Sequence, residues 1–279
     1  MIGSLATLAL TDLVALVNRA YVGYPGPFSP EEPGDYSAFC RAQNVDFARS
    51  VLARDAAGAP VGFGLLGLRG AHGWCGEFGV VPAWRRQGLG RALLAALLDQ
   101  ARVAGCRTVQ LEVAAANRPA QRLYEAGGFC LRRVLHNYTA APSVLGRHSD
   151  PAPAASTVAT ADPSALLLPP CAPEPPPAWD HELPALLAEG GQTLRATGNG
   201  HPCGLLHYVA ADPRAIQIRR LSVPPGDHAT ARALLTAAVT PATTRLVVAY
   251  VAEASPLYRL LPQLGFQELA ADWEMVCEL

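Results

Sequence analysis

Apolar and polar positions alternate along the chain in two kinds of run, short ones bounded by turn residues and longer ones broken by single charges. The short runs predict strands over residues 2–8, 50–54, 61–68 and 74–81, with "DAAGAP" turning between the second and third. The longer runs predict helices over 11–22, 36–48 and 88–104. The strand "TVQLEV", a helix over 118–127 and a strand from Phe129 to Tyr138 follow. Thr11 is the expected cap of the first helix. A strand followed by a capped helix accounts for the apolar opening "MIGSLATLALTDLVALVNRA" better than a signal peptide, because it has no basic leader and Asp12 interrupts it.

Between Thr139 and Pro184 the pattern fails: eleven of the 25 prolines fall there, and proline blocks both helix interior and central strand. The sequence therefore divides into a first domain over 1–140, a Pro/Ala-rich linker or excursion over 141–177 and a second domain over 178–279. Within the excursion, 163–169 ("PSALLLP") reads as the last strand of the first domain or the opening of the second, and the former is preferred. Beyond it, "CGLLHYVA", "AIQIRRLSV", "HATARALLTAAV", "TRLVVAYV", "SPLYRLLPQLGF" and "DWEMVCEL" give strand, strand, helix, strand, helix, strand. That order repeats the first domain's, and both late helices end in Gly-Phe, at Gly128-Phe129 and Gly265-Phe266. The fold class is thus α/β (α+β), two similar domains, each a mixed, mostly antiparallel sheet flanked by helices.

Composition narrows the function little. The formal net charge of −1 supplies no global field towards nucleic acid or a membrane surface, and no apolar run has the length of a membrane span. All 22 basic residues are arginine, which reads as genome composition given the abundant Ala, Gly and Pro. The seven cysteines are scattered and odd in number, without a C-x-x-C pair. A disulfide framework or metal site is not expected, and a reducing cytoplasm is the expected location.

The chemistry concentrates in "VVPAWRRQGLGRALLAALL", Val80 to Leu98. A helix start carries unpartnered backbone N–H groups and a partial positive charge, and glycines there admit a phosphate to the bare backbone. The spacing V-x-P-x-x-R-R-x-G-x-G, with Asn117, Leu123, Tyr124, Gly128 and Phe129 spelling N-x(5)-L-Y-x(3)-G-F about thirty residues on, resembles the two signature motifs of the GNAT N-acetyltransferase superfamily. The resemblance covers residues 1–138 well and the C-terminal hundred in outline.

The resemblance implies acetyl-CoA as cosubstrate. Its pyrophosphate would lie on backbone N–H groups from Arg86 through Gln87, Gly88, Leu89 and Gly90 to Arg91, with Arg85, Arg86 or Arg91 adding charge. Its pantetheine would lie where the strand ending at Val80 splays from "TVQLEV", with a backbone N–H near Phe78–Val80 polarising the thioester. Asn117 either bonds the pantetheine or caps the helix after it. Tyr124 stands where many relatives keep the acid that protonates the departing thiolate; packing alone is the plain alternative. For the base, Glu112 is favoured and Glu77 on the neighbouring strand is second. Histidine is the side chain that titrates near neutral pH, but His72 and His136, near turns and edges, have no context that points to a role.

The segment between the first helix and the second strand brings Tyr24, Phe28 and Tyr36 beside Glu31, a composition suited to a cationic amine, or simply a polar loop with packed rings. The expected activity is N-acetylation of a primary amine on a small molecule. The alternatives are a protein N-terminal or lysine acetyltransferase and a non-catalytic acyl-CoA sensor. Counting back from the two Gly-Phe pairs sets Ala249, Ala254 and Leu261 against Glu112, Asn117 and Tyr124, and "PPGDHATARALL" replaces the glycine loop. The second domain is therefore expected to be degenerate, walling off the acceptor site or carrying a homodimer contact.

Overall fold

The computed structural model describes residues 1–25, 32–146, 157–167, 176–212 and 214–279. They form two compact units, one of Met1–Arg133 with Trp273–Leu279, the other of Val134–Asp272.

In the first unit the strands β1 (Ile2–Ser4), β2 (Val51–Arg54), β3 (Pro60–Arg69), β4 (His72–Val80) and β5 (Thr108–Ala114) lie side by side in that order. β1 to β4 pair antiparallel, and β4 pairs parallel with β5. The strand expected over 2–8 stops at Ser4, whose hydroxyl accepts the Ala6 N–H and starts a 3-10 turn. Helix α1 (Leu10–Ala20) begins one residue before Thr11, which is no cap, because Leu13 N–H already bonds the Ala9 carbonyl. Helix α2 spans Pro33–Ala42, α3 Leu89–Val103 and α4 Arg118–Ala126.

Alternation along β2 and β3 sends side chains to two cores. Leu52, Phe63 and Leu65 join Leu13, Leu16, Val17 and Tyr36 under α1 and α2. Val51, Ala53 and Val61 join Leu93, Leu94 and Leu97 under α3. Gly62 and Gly64 let α3 approach, since a Cβ at either would stand 2.9 Å from a leucine methyl of that helix.

Of 163–169, the described residues 163–167 give this unit no strand, and 168–169 lie outside the described residues. Pro163–Leu167 is a 3-10 turn belonging to the second unit, because Pro163 cannot donate within a ladder and the turn tucks Leu166 against Leu186 and Leu205. Next to β5 lies the end of strand β12 (Gln267–Glu278), whose residues from Trp273 onward belong to the first unit, with Met275 and Cys277 buried in its core.

The second unit holds β7 (Thr157–Ala161), β8 (Gln192–Gly198), β9 (His201–Asp212), β10 (Ala215–Ser222) and β11 (Arg245–Ala252), with helices α5 (Leu183–Glu189), α6 (His228–Ala238) and α7 (Pro256–Gln263). β10 and β11 pair parallel, as β4 and β5 do, and Leu135–Ala140 of strand β6 (Cys130–Ala140) pair antiparallel with β11. β7 lies inside the proline-rich stretch, so that stretch supplies an edge strand to this sheet. Among the described residues no helix is long and apolar enough to cross a membrane.

Candidate active site

The β4–β5 ladder closes only over His72↔Thr108, Gly73↔Val109 and Trp74↔Gln110. Beyond that rung the strands part, and a bulge accompanies the change: partners step from Gly64↔Phe78 to Leu66↔Cys75, so Gly76 and Glu77 together face Leu65. The gap is the inner part of a cleft of about 870 Å3. Phe78, Gly79 and Val80 line it from β4, Glu112 and Val113 from β5, Tyr21 and Tyr24 from the end of α1, and Asn117, Leu123 and Tyr124 from α4.

The mouth is the start of α3. Gly88 precedes it at φ +84° with no side-chain cap, and Arg86 also has φ +62°, so two left-handed residues alternate with Gln87 before the helix. Successive N–H groups in such a turn converge, and an uncapped helix start adds its dipole, which together make a cradle for an anion. Arg86, Gly88, Gly90 and Arg91 line the cleft there, with both arginines exposed. Arg85 lines the cleft as well and is held by three backbone carbonyls. Its Nε donates to the Val80 carbonyl at 2.9 Å, and its Nη2 to those of Ala20 at 2.7 Å and Val22 at 3.1 Å, tying the end of α1 to the end of β4. Gln87 donates to the Ala83 carbonyl and Leu89 packs into the core under α3; neither lines the cleft.

Tyr124 is buried, its ring meeting Phe78 edge-on at 6.1 Å and Phe129 at 5.8 Å. Burial pushes its phenol well above the ordinary tyrosine range, so it stands in the cleft as a protonated donor. Asn117 Oδ1 accepts the Ala120 N–H at 3.3 Å, which makes it the cap of α4 as well as a lining residue.

The two carboxylates differ. Glu112 lines the cleft and accepts from the Trp74 indole at 2.8 Å and the Gln110 amide at 3.2 Å. Glu77 is not among the lining residues and accepts from the Tyr36 hydroxyl at 2.5 Å. Burial first, then the Glu77 charge, hold Tyr36 protonated. The same two causes raise Tyr21, against a hydrogen bond from the Phe78 backbone to its hydroxyl. Tyr36 thus faces Glu77 rather than the cleft, and Tyr24, 5.1 Å from the Tyr21 ring, is the acceptor-loop aromatic expected in the site that does line it. Phe28 and Glu31 lie outside the described residues. Burial, with the Glu112 charge adding, pushes the Cys75 thiol up to about 12, so it is no nucleophile.

Sequence reasoning passed over Trp74 and Gly76. Their spacing carried a signal: in a strand, residues two apart share a face, and a large ring beside a glycine marks a place kept open for it. His72 bonds Thr108 at an exposed edge, and His136 lies in the second unit beside Glu268. Among the described residues no group of three or more His, Cys, Asp or Glu is placed to hold a metal ion.

The second unit builds the same frame and fills it differently. Its parallel ladder also ends early, at Ile218↔Val248, and a bulge places Arg219 next. Arg219 is spent on Glu189 at 2.5 Å and Asp180 at 3.9 Å. At the start of α6 the Asp227 carboxylate accepts the Thr230 N–H at 2.9 Å, so the anion place is taken by the chain itself.

A mixed sheet with a splayed parallel pair and a bare helix start is the frame of the first unit. The Acetyltransferase (GNAT) family matches residues 12–129. That stretch belongs to the family and is an acetyltransferase domain. Mycothiol acetyltransferase of Clavibacter michiganensis subsp. michiganensis is 38% identical over 118 residues, which are 42% of this chain and 38% of that enzyme. The ribosomal protein bS18 alanine N-acetyltransferase of Escherichia coli K12 is 48% identical over 68 residues, 24% of this chain and 45% of that enzyme. The chain thus spans less than half the length of these curated relatives. A tandem GNAT protein from the clavulanic acid biosynthesis pathway shares the fold over 100% of this chain and 98% of its own, with TM-score 0.71 at 18% identity. A GCN5-related N-acetyltransferase from Sphaerobacter thermophilus does so over 100% and 95%, with TM-score 0.69 at 15% identity.

Proposed function

We propose that the first unit transfers an acetyl group from acetyl-CoA to the primary amine of a small molecule. The observation that carries the reading is the continuous cleft from an uncapped helix start, through a parted strand pair, to a buried tyrosine and a hydrogen-bonded glutamate. Acetyl-CoA, when bound, supplies an activated thioester. The chain's own groups fit that cosubstrate. The Arg86–Arg91 backbone, with the Arg86 and Arg91 side chains, would hold the pyrophosphate. The β4 edge at Phe78–Val80, which past the Trp74 rung has no paired strand on its β5 side among the described residues, offers backbone groups to the pantetheine. Arg85 serves as a strut between α1 and β4.

An alkylamine is mostly protonated near pH 7 and must lose a proton before its lone pair can attack. Glu112 takes it, directly or through one water, a choice supported by its lining the cleft where Glu77 does not. The bonds from Trp74 and Gln110 orient the carboxylate there. Attack leaves a second proton to be lost from the nitrogen, which passes to the medium as the amide forms, while Tyr124 gives its hydroxyl proton to the departing sulfur and recovers one from the medium. Tyr21 and Tyr24 present ring faces to a cationic acceptor.

The relative matched over the longer stretch is named for mycothiol. The E. coli relative is named for the alanine of a ribosomal protein, which makes a peptide N-terminus the second acceptor class. The second unit, with its helix start capped by Asp227, takes no acetyl-CoA. Calorimetric titration with acetyl-CoA should therefore give one site per chain, and two sites would contradict the reading. Glu112→Gln should bind acetyl-CoA as the wild type does, yet lose about a hundredfold in amine-dependent thiol release near pH 7. Unchanged turnover in that variant would remove Glu112 as the base.

A further inference from the structure

Trp74 does not line the cleft, yet its indole N–H reaches Glu112 Oε2 at 2.8 Å. The other oxygen accepts from Gln110. Trp74 and Gln110 face each other as the last paired rung before β4 and β5 part. These two donors to the carboxylate therefore come from the point where the ladder ends, beside the gap. The indole is itself confined. It is buried, Phe39 of α2 meets its ring edge-on at 6.2 Å, and the place a Cβ would take at Gly76 lies 2.3 Å from the ring. An alanine at 76 cannot coexist with the indole where it stands.

Resting on the reading that Glu112 takes the amine's proton, we infer that Trp74 is a positioning residue for that carboxylate and that Gly76 reserves the space its indole needs. A hydrogen bond donated to a carboxylate favours the ionised form and fixes its direction. The rung thus keeps Glu112 ready as an acceptor at the neck of the cleft, and a freely rotating carboxylate there would not be.

Two substitutions disturb the contact in different ways. Trp74→Phe keeps a ring and removes the donor; Gly76→Ala keeps both partners and displaces the indole. In the free protein, the Glu112 carboxyl titration followed by carbon-13 NMR should move up by about half a pH unit or more in each variant, as expected when a donor to the carboxylate is lost. The acid limb of amine-dependent turnover should move up with it, while the acetyl-CoA dissociation constant stays within about twofold, well under the 1.4 kcal/mol of a tenfold change. Gln110→Ala, at a half-buried position, removes the other donor and should shift the titration the same way, so a folding failure at Trp74 leaves the test intact.

A titration that does not move in folded Trp74→Phe, or in Gly76→Ala and Gln110→Ala should the former not fold, overturns the assignment. The NMR titration needs no turnover. A wild-type protein that acetylates no amine would sink the acetyl-transfer reading, while a shifted titration would still uphold the Trp74 contact. Turnover with an unmoved titration would sink the Trp74 role alone.

Discussion

Deleting Trp273–Leu279 should unfold the first unit, although that unit is otherwise built from the opening 133 residues. The segment supplies Met275 at 0% exposure and Cys277 at 4%, packed with the α3 and β5 leucines and valines. Loss of a buried methionine side chain alone costs about 2–5 kcal/mol. Glu274, fully buried, is the partner of Arg133 at 2.7 Å and of Arg132 at 3.4 Å, so the deletion also strands a half-buried guanidinium. The Leu279 N–H closes on the Arg107 carbonyl beside β5. Against a typical domain stability of about 5–15 kcal/mol, these losses together exceed what one unit retains. Amide hydrogen exchange in α3 and β5 should therefore become fast in the truncated protein. Native-like protection there would show that the C-terminal strand is dispensable.

Gly88→Asp should cost acetyl-CoA about a hundredfold or more in affinity. The second unit carries the corresponding experiment, because Asp227 sits at the start of α6 with its carboxylate on the Thr230 N–H. At 88 the same side chain would bond N–H groups that the account assigns to the pyrophosphate and would repel it as well. Charge-assisted hydrogen bonds of this kind are worth about 1.5–3 kcal/mol each, and 1.4 kcal/mol is tenfold. Nothing stands within 4 Å of a Cβ at 88, so a clash does not confuse the outcome. The left-handed φ of +84° does carry a cost, which Gly88→Ala isolates as about 1 kcal/mol of stability. Calorimetric titration of the two variants separates charge from backbone strain. Affinity within about threefold of wild type in Gly88→Asp, a change under 1 kcal/mol, would place the phosphates elsewhere.

Much of this site is local in the chain and so can be read from it. The glycine helix start and the strand before it follow from spacing and period, while Tyr124 and Glu112 are picked out by the resemblance to the acetyltransferase motifs. The exchange of last strands does not, because "DWEMVCEL" reads as a strand without saying which sheet it joins, and strand pairing is a long-range choice. The apolar "SALLLP" suggested that strand nearer at hand, although Pro163 forbids a full ladder at its head. Arg85, Arg86 and Arg91 look equivalent in sequence. Only the backbone path separates them: Arg86, left-handed, stays at the helix mouth, while Arg85 turns back to the carbonyls of Ala20 and Val22. The Trp74–Glu112 contact needs the end of the parallel ladder to be known, and no periodicity marks where two strands part. In the second unit the decay shows in Asp227 and in the missing tyrosine, but that Arg219 fills the bulge is visible only once the ladder's last rung is placed.

The central claim is amine-dependent acetyl transfer by the first unit, and thiol release from acetyl-CoA against a panel of polyamines, aminoglycosides, amino acids and short peptides tests it directly. The account predicts release that depends on the amine, names the acceptor class, and falls at least about tenfold in Tyr124→Phe, as expected for loss of a general acid. Bound acetyl-CoA with no release from any amine would contradict it, and the cleft would then be that of a sensor.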